Sequence, residues 1–130
     1  MSVRLHRAYR RSRYEAAGAV ARIGGRSPAV DALLRRLGAR AGGFVTAWNP
    51  ASRRMPPGWN RRMLPRLRAA ARRLPMAEGW GGDGPWREWH LLLGGDPRRV
   101  AVLARRFRQA AIVTVRRGAP ARLVLLRPAP

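Results

Sequence analysis

The chain of 130 residues contains no cysteine and no lysine, and it has only six acidic residues. Without cysteine there is no disulfide framework, no thiolate nucleophile and no zinc site built on sulfur. His6 and His90 are its two histidines, and neither stands in metal-ligand spacing with an acid, so no metal is expected. No apolar run approaches the ~18 residues of a membrane span, and Leu91-Leu92-Leu93 is the longest run of leucine, so no membrane partner is expected. The acids Glu15, Asp31, Glu78, Asp83, Glu88 and Asp96 are scattered, without the pairing that a two-carboxylate hydrolase needs. The glycine-rich stretch Gly79 to Gly84 matches neither a phosphate-binding loop nor a dinucleotide fingerprint, and no cofactor is expected.

Against those six acids stand 28 basic residues, all arginine, for a net charge of +22. A GC-rich coding bias accounts for arginine in place of lysine, but not for the scarcity of acids. Guanidinium forks fit phosphate bidentately, so a nonspecific affinity for nucleic acid or another polyanion is expected. The 46% hydrophobic fraction argues for a packed core despite the charge. One domain of this length buries roughly two-thirds of its unfolded surface. Residues 1–13 carry no acid and include Arg10-Arg11, yet no apolar segment of a signal peptide follows, and a cytoplasmic location is expected.

Leu5, Ala8 and Tyr9 form one face of a short helix, which leads into a strand around Arg13–Ile23 ended by Gly24-Gly25. Ser27-Pro28 opens a helix with a hydroxyl cap and a proline whose missing N–H costs nothing there. Val30, Leu33, Leu34 and Leu37 are its buried stripe and Gly38 its stop. The run Gly43 to Trp48 reads as a buried strand that must turn at Asn49-Pro50. A second helix is expected from about Gly58 to Leu74, kinked at Pro65, with Arg61, Arg62, Arg66, Arg68, Arg72 and Arg73 on its outer faces. These six are the candidate polyanion-binding residues; a solvated helix face accounts for their spacing equally well.

Residues 75–87 read as an irregular connection carrying Trp80 and Trp86. Glu88–Leu93 is a strand, and Asp96-Pro97 repeats the cap-plus-proline signal to open a third helix with Val100, Leu103, Ala104 and Phe107 inward. Ala110–Val115 and Ala121–Leu126 form a C-terminal hairpin, and 127–130 read as a frayed tail. The sum is a single α+β domain: a mixed sheet of about five strands packed with three main helices.

In order, the chain reads Thr46-Ala47-Trp48-Asn49-Pro50-x-Ser52, then Asn60 in a helix, Trp86-x-Glu88 before an apolar strand, and Phe107-x-Gln109-x-Ala111-Ile112. This pattern resembles a bacterial family known as domain of unknown function number 3293, over roughly Tyr9 to Leu126. The resemblance implies a small single-domain protein with no assigned activity. It also marks two departures: Ala110 where the family pattern has asparagine, and His90 where it has serine.

Asn49, Ser52, Asn60, Glu88 and Gln109 are the polar residues on these motifs and form the candidate site. If Glu88–Leu93 runs antiparallel to Phe44–Trp48, Glu88 begins beside Asn49. A carboxylate flanked by amides can orient water or hold a small polar ligand, so a ligand-binding protein or an enzyme using Asn49, Asn60 and Glu88 is the alternative to a polyanion binder. Asn49 and Asn60 are equally natural as turn and helix-cap residues. Ser52, His90 and Asp83 supply the residue types of a hydrolytic triad, but no nucleophile elbow precedes Ser52.

Overall fold

Two helices start where a capping side chain and a proline coincide. A computed structural model describes residues 2–126. In it the Ser27 hydroxyl accepts from the Val30 N–H at 3.2 Å at the head of α2 (Pro28–Arg36), and Asp96 accepts from the Arg98 N–H at 2.9 Å at the head of α4 (Pro97–Arg106). Gly38, at φ 71°, ends the first of these in the left-handed region that glycine enters without steric cost. The remaining helices are α1 (Val3–Arg11) and α3 (Pro57–Ala70). Among the described residues four α-helices are present rather than three main ones, the short N-terminal segment being a full element, as its Leu5, Ala8 and Tyr9 face led one to expect. The second predicted helix stops at Ala70 rather than Leu74. It continues through Pro65, whose missing N–H leaves the Arg61 carbonyl without its helical donor.

The strands are β1 (Arg13–Ala16), β2 (Ala19–Ala21), β3 (Ala41–Thr46), β4 (Met76–Asp83), β5 (Trp86–Gly94), β6 (Ala111–Arg116) and β7 (Arg122–Leu125). They form one sheet in the order β2-β1-β4-β5-β3-β6-β7, with every neighbouring pair antiparallel. The sheet curls into a half-barrel whose edges touch: Ile23 and Ala121 form an isolated parallel bridge, and Gly24 donates to the Ala121 carbonyl at 2.8 Å.

Three expectations are corrected here. Among the described residues the sheet is antiparallel rather than mixed, with seven strands rather than five. The predicted strand Arg13–Ile23 is a hairpin, since Ala17 and Gly18 take left-handed backbone and Glu15 accepts from the Gly18 N–H at 2.7 Å. The stretch 75–87 is the β4–β5 hairpin, not an irregular connection. Its glycines lie within a strand because the space a side chain would fill is occupied: a Cβ on Gly79 would collide with the Glu15 carbonyl of β1, and one on Gly82 with the Trp86 carbonyl of β5. The expected C-terminal hairpin is present as β6–β7; the expected frayed tail, 127–130, lies outside the described residues.

Side chains alternate between two cores. Val45, Leu91, Leu93 and Ile112 pack with Leu67 of α3 and with Val100 and Leu103 of α4. Phe44, Leu92, Val113 and Val115 pack with Tyr14 and with Val30, Leu33 and Leu34 of α2 on the other face. This explains the leucine run: β5 sits near the middle of the sheet, and Leu91, Leu92 and Leu93 are fully buried because both faces are covered.

Candidate functional site

β3 and β5 pair antiparallel, with Thr46 opposite His90, so the end of β3 lies beside the start of β5 as expected. Asn49 then donates from Nδ2 to Glu88 Oε2 at 2.6 Å. Asn49 is buried and left-handed (φ 47°, ψ 63°), a conformation asparagine tolerates better than most residues. Ala51, Ser52 and Arg108 also have positive φ, each at a cost on the order of 1–3 kcal/mol that neighbouring contacts must hold in place. One such contact is the Ala51 N–H to the Arg108 carbonyl at 2.6 Å.

The principal restraint is an asparagine pair. The Asn49 N–H donates to Asn60 Oδ1 at 3.0 Å, and Asn49 Oδ1 accepts from Asn60 Nδ2 at 3.0 Å and from the Met55 N–H at 2.9 Å. Asn60 is buried inside α3 and does not cap it; the helix opens on Pro56-Pro57 with no side-chain cap. Asn60 thus fixes Asn49, and Asn49 presents its remaining amide to Glu88. Gln109 donates from Nε2 to the carbonyls of Trp48, at 3.1 Å, and Phe107, at 3.2 Å, which ties the segment before β6 to the end of β3.

These residues border a cavity of about 340 Å³ on the Phe44 face of the sheet. Asn49, Ser52, Glu88 and Gln109 line it, whereas Asn60 stands behind Asn49. Tyr9, Tyr14, Phe44 and Trp86 supply most of its aromatic wall. α1 lies along one side, and the face expected from its sequence, Leu5, Ala8 and Tyr9, is the face that lines the cavity. The helix is held by the Tyr9 hydroxyl against Ser52 Oγ at 3.2 Å and by the Tyr14 hydroxyl donating to the Tyr9 carbonyl at 3.0 Å. Of the aromatic wall only Trp86 falls on a motif; Tyr9, Tyr14 and Phe44 carry no signal there and are brought in from other parts of the chain.

Glu88 differs from the other acids. Glu78, Asp83 and Asp96 pair with Arg68, Arg11 and Arg98, while Glu15 and Asp31 accept from the backbone of glycine turns. Among the described residues no arginine comes within 4.0 Å of Glu88, and its hydrogen-bond partner is Asn49. Burial raises its pKa above the ordinary carboxylate value, partly offset by the Asn49 hydrogen bond. Burial likewise raises the Tyr9 and Tyr14 hydroxyls, and the Glu88 charge adds to both.

His90 is a core residue. Its Nε2 lies 2.6 Å from the Glu15 carbonyl, its ring stacks on Tyr14 at 6.4 Å, and burial lowers its pKa to about 4. The imidazole is therefore neutral at physiological pH, with Nε2–H the donor to Glu15. Ser52 meets Tyr9, His90 meets Glu15 and Asp83 meets Arg11, so the triad materials are each bound elsewhere.

The six candidate polyanion residues do not converge. Arg61 and Arg68 share one side of α3 and Arg62 and Arg66 another, by the helical period. All four are exposed, and Arg68 is ion-paired with Glu78. Arg72 and Arg73 lie beyond the end of α3. No described helix is long and apolar enough to cross a membrane.

Fold and site together define a small α+β protein: a curled antiparallel sheet with a cavity at one end of its central strands and one carboxylate inside it. The chain belongs to the family described as "Protein of unknown function (DUF3293)", whose model matches residues 45–112. That span includes Asn49, Ser52, Asn60, Glu88 and Gln109, while Tyr9 and Tyr14 of the aromatic wall precede it. No curated protein and no solved structure matches the chain.

Proposed function

We propose that the protein binds a small organic ligand in the cavity beside α1. Glu88 takes the ligand's protonated nitrogen, and the aromatic wall covers its apolar body. The observation that carries this reading is Glu88 itself. In a chain with 28 arginines, a half-buried carboxylate inside a largely apolar cavity has an amide as its hydrogen-bond partner, and no arginine, not even Arg4 on the cavity rim, comes within 4.0 Å of it. A desolvated carboxylate is costly, and a cationic ligand supplies the missing charge through a short, charge-assisted hydrogen bond. The cavity volume lies within the roughly 300–1,000 Å³ usual for small-molecule sites. Asn49 and Asn60 serve as positioning residues, and Ser52 with Tyr9 holds the helix that borders the site.

Calorimetric titration with aromatic and alkyl amines and amidines, each beside its neutral isostere, tests this. The cationic member of each pair should bind at least about tenfold more tightly, the worth of one charge-assisted contact. Glu88→Gln should abolish the difference. Equal binding of neutral and cationic members to the native protein would sink the proposal.

A further inference from the structure

A second surface lies at the opposite end of the same three central strands, where β3 begins and β5 and β6 end. An open groove of about 790 Å³ is bordered there by Arg40, Arg73, Arg98, Arg99 and Arg116, with Asp96 as the one acid. The residues come from four places in the chain: the loop before β3, the turn after α3, the cap and first turn of α4, and the end of β6. Its floor is Pro75, Gly94 and Gly95. A Cβ on Gly94 would press on the Ala39 and Pro75 side chains at about 3 Å, so only glycine fits there without displacing them.

Asp96 is already occupied. It receives the Arg98 guanidinium at 2.8 and 3.1 Å as well as the Arg98 backbone N–H. Arg40, Arg73, Arg99 and Arg116 are exposed, and among the described residues no carboxylate comes within 4.0 Å of any of them. Five arginines less one aspartate leave the groove at +4. Like charges gathered on one concave surface repel one another, and bound phosphates relieve that repulsion.

We infer that this groove binds the phosphate backbone of double-stranded nucleic acid without regard to sequence. Guanidinium forks suit phosphate oxygens, and a duplex presents its phosphates outward. No aromatic side chain borders the groove, so it offers no platform for the unstacked bases of a single strand. The inference is independent of the Glu88 cavity.

The test is fluorescence anisotropy across a salt series with a duplex, the matching single strand and inorganic polyphosphate. Three proteins are compared: the native chain, R40Q/R73Q/R99Q/R116Q, and the charge-matched R61Q/R62Q/R66Q/R72Q on and beside α3. The duplex should bind most tightly. The groove variant should lose at least about tenfold in affinity and about 3.6 units of salt slope, near 0.9 for each of four phosphate contacts, while the charge-matched variant stays within about threefold of native. Equal losses in the two variants would show diffuse charge and overturn the inference, as would tighter binding of the single strand or of polyphosphate. All substituted residues are exposed; should the fourfold groove variant fail to fold, R99Q and R116Q singly are read against R61Q and R62Q singly by the same criterion.

Discussion

The two ends of the central strands are built on opposite electrostatic terms. At one end Glu88 has no arginine within 4.0 Å, although Arg4 of α1 lines the same cavity; at the other, four arginines stand free around an aspartate that a fifth has neutralised. In a chain of +22, the first arrangement is the harder to obtain by accident. Arginine is abundant enough that any exposed acid readily finds one, and three of the six acids do. A wall of tyrosine, phenylalanine and tryptophan surrounds Glu88, and the helix alongside it brings Arg4 to the cavity without an ion pair to Glu88. The difference teaches that average composition is a poor guide to this molecule: charge is partitioned between its ends by the strands that join them.

Breaking the shared strut should give the largest effect. Leu92 is fully buried in the core between β5 and α2, on the cavity face. Leu92→Ala should cost about 2–5 kcal/mol of stability in chemical denaturation, the range for truncating a buried leucine. Both ends should suffer together, with duplex affinity and amine affinity falling in step with the unfolded fraction. Loss at one end with the other intact would show that the strands do not couple them.

A smaller and one-sided effect is expected from the asparagine pair. Asn60→Ala removes the acceptor for the Asn49 N–H and the donor to Asn49 Oδ1, both buried. Leaving such groups unpaired costs about 1–3 kcal/mol each. With Asn49 released, amine binding should weaken because Glu88 loses its orienting partner, while duplex binding per folded molecule stays unchanged. Isotope-edited spectra should show the Asn49 amide shifted in the variant. An unmoved Asn49 signal with unchanged amine affinity would reduce the pair to a loop fastening.

Part of this was legible in the residues. Ser27-Pro28 and Asp96-Pro97 announce their helices through local chemistry, and they are found where expected. The apolar runs at Gly43–Trp48 and Glu88–Leu93 place Glu88 beside Asn49 once paired, because an antiparallel partner is the simplest solution for two adjacent buried strands. The glycines of β4 were illegible for the reason they are needed. A glycine read locally is a breaker, but Gly79 and Gly82 are required by neighbouring backbone that only the folded sheet brings near. The cationic groove was hidden likewise, since Arg40, Arg73, Arg99 and Arg116 share no motif and meet through topology alone. The consecutive arginines of the α3 region were conspicuous in sequence, yet they point different ways.

The finest test of the contrast is the titration of Glu88. Its folded-state pKa lies above the unfolded value because burial disfavours the charged form more than the Asn49 hydrogen bond favours it. Between the two values the native state binds more protons than the unfolded chain, so stability falls as pH rises through the raised pKa. At neutral pH the empty site therefore carries a destabilising charge, and Glu88→Gln should unfold at a higher temperature than the native protein. The gain should shrink as pH falls through the raised pKa and vanish below the unfolded-state value, where Glu88 is neutral in both states. A bound amine reverses the sign, because its positive charge favours the carboxylate and draws the pKa down, so the complex should weaken as the pH is lowered over the same range. His90 supplies an internal reference. Its pKa of about 4 means that stability is lost as pH falls from the ordinary histidine value toward 4, in Glu88→Gln as in the native protein. Melting curves across that range, with and without amine, separate the two groups. If Glu88→Gln and native protein melted alike at every pH, the carboxylate would be solvated and the contrast between the two ends would be one of geometry rather than charge.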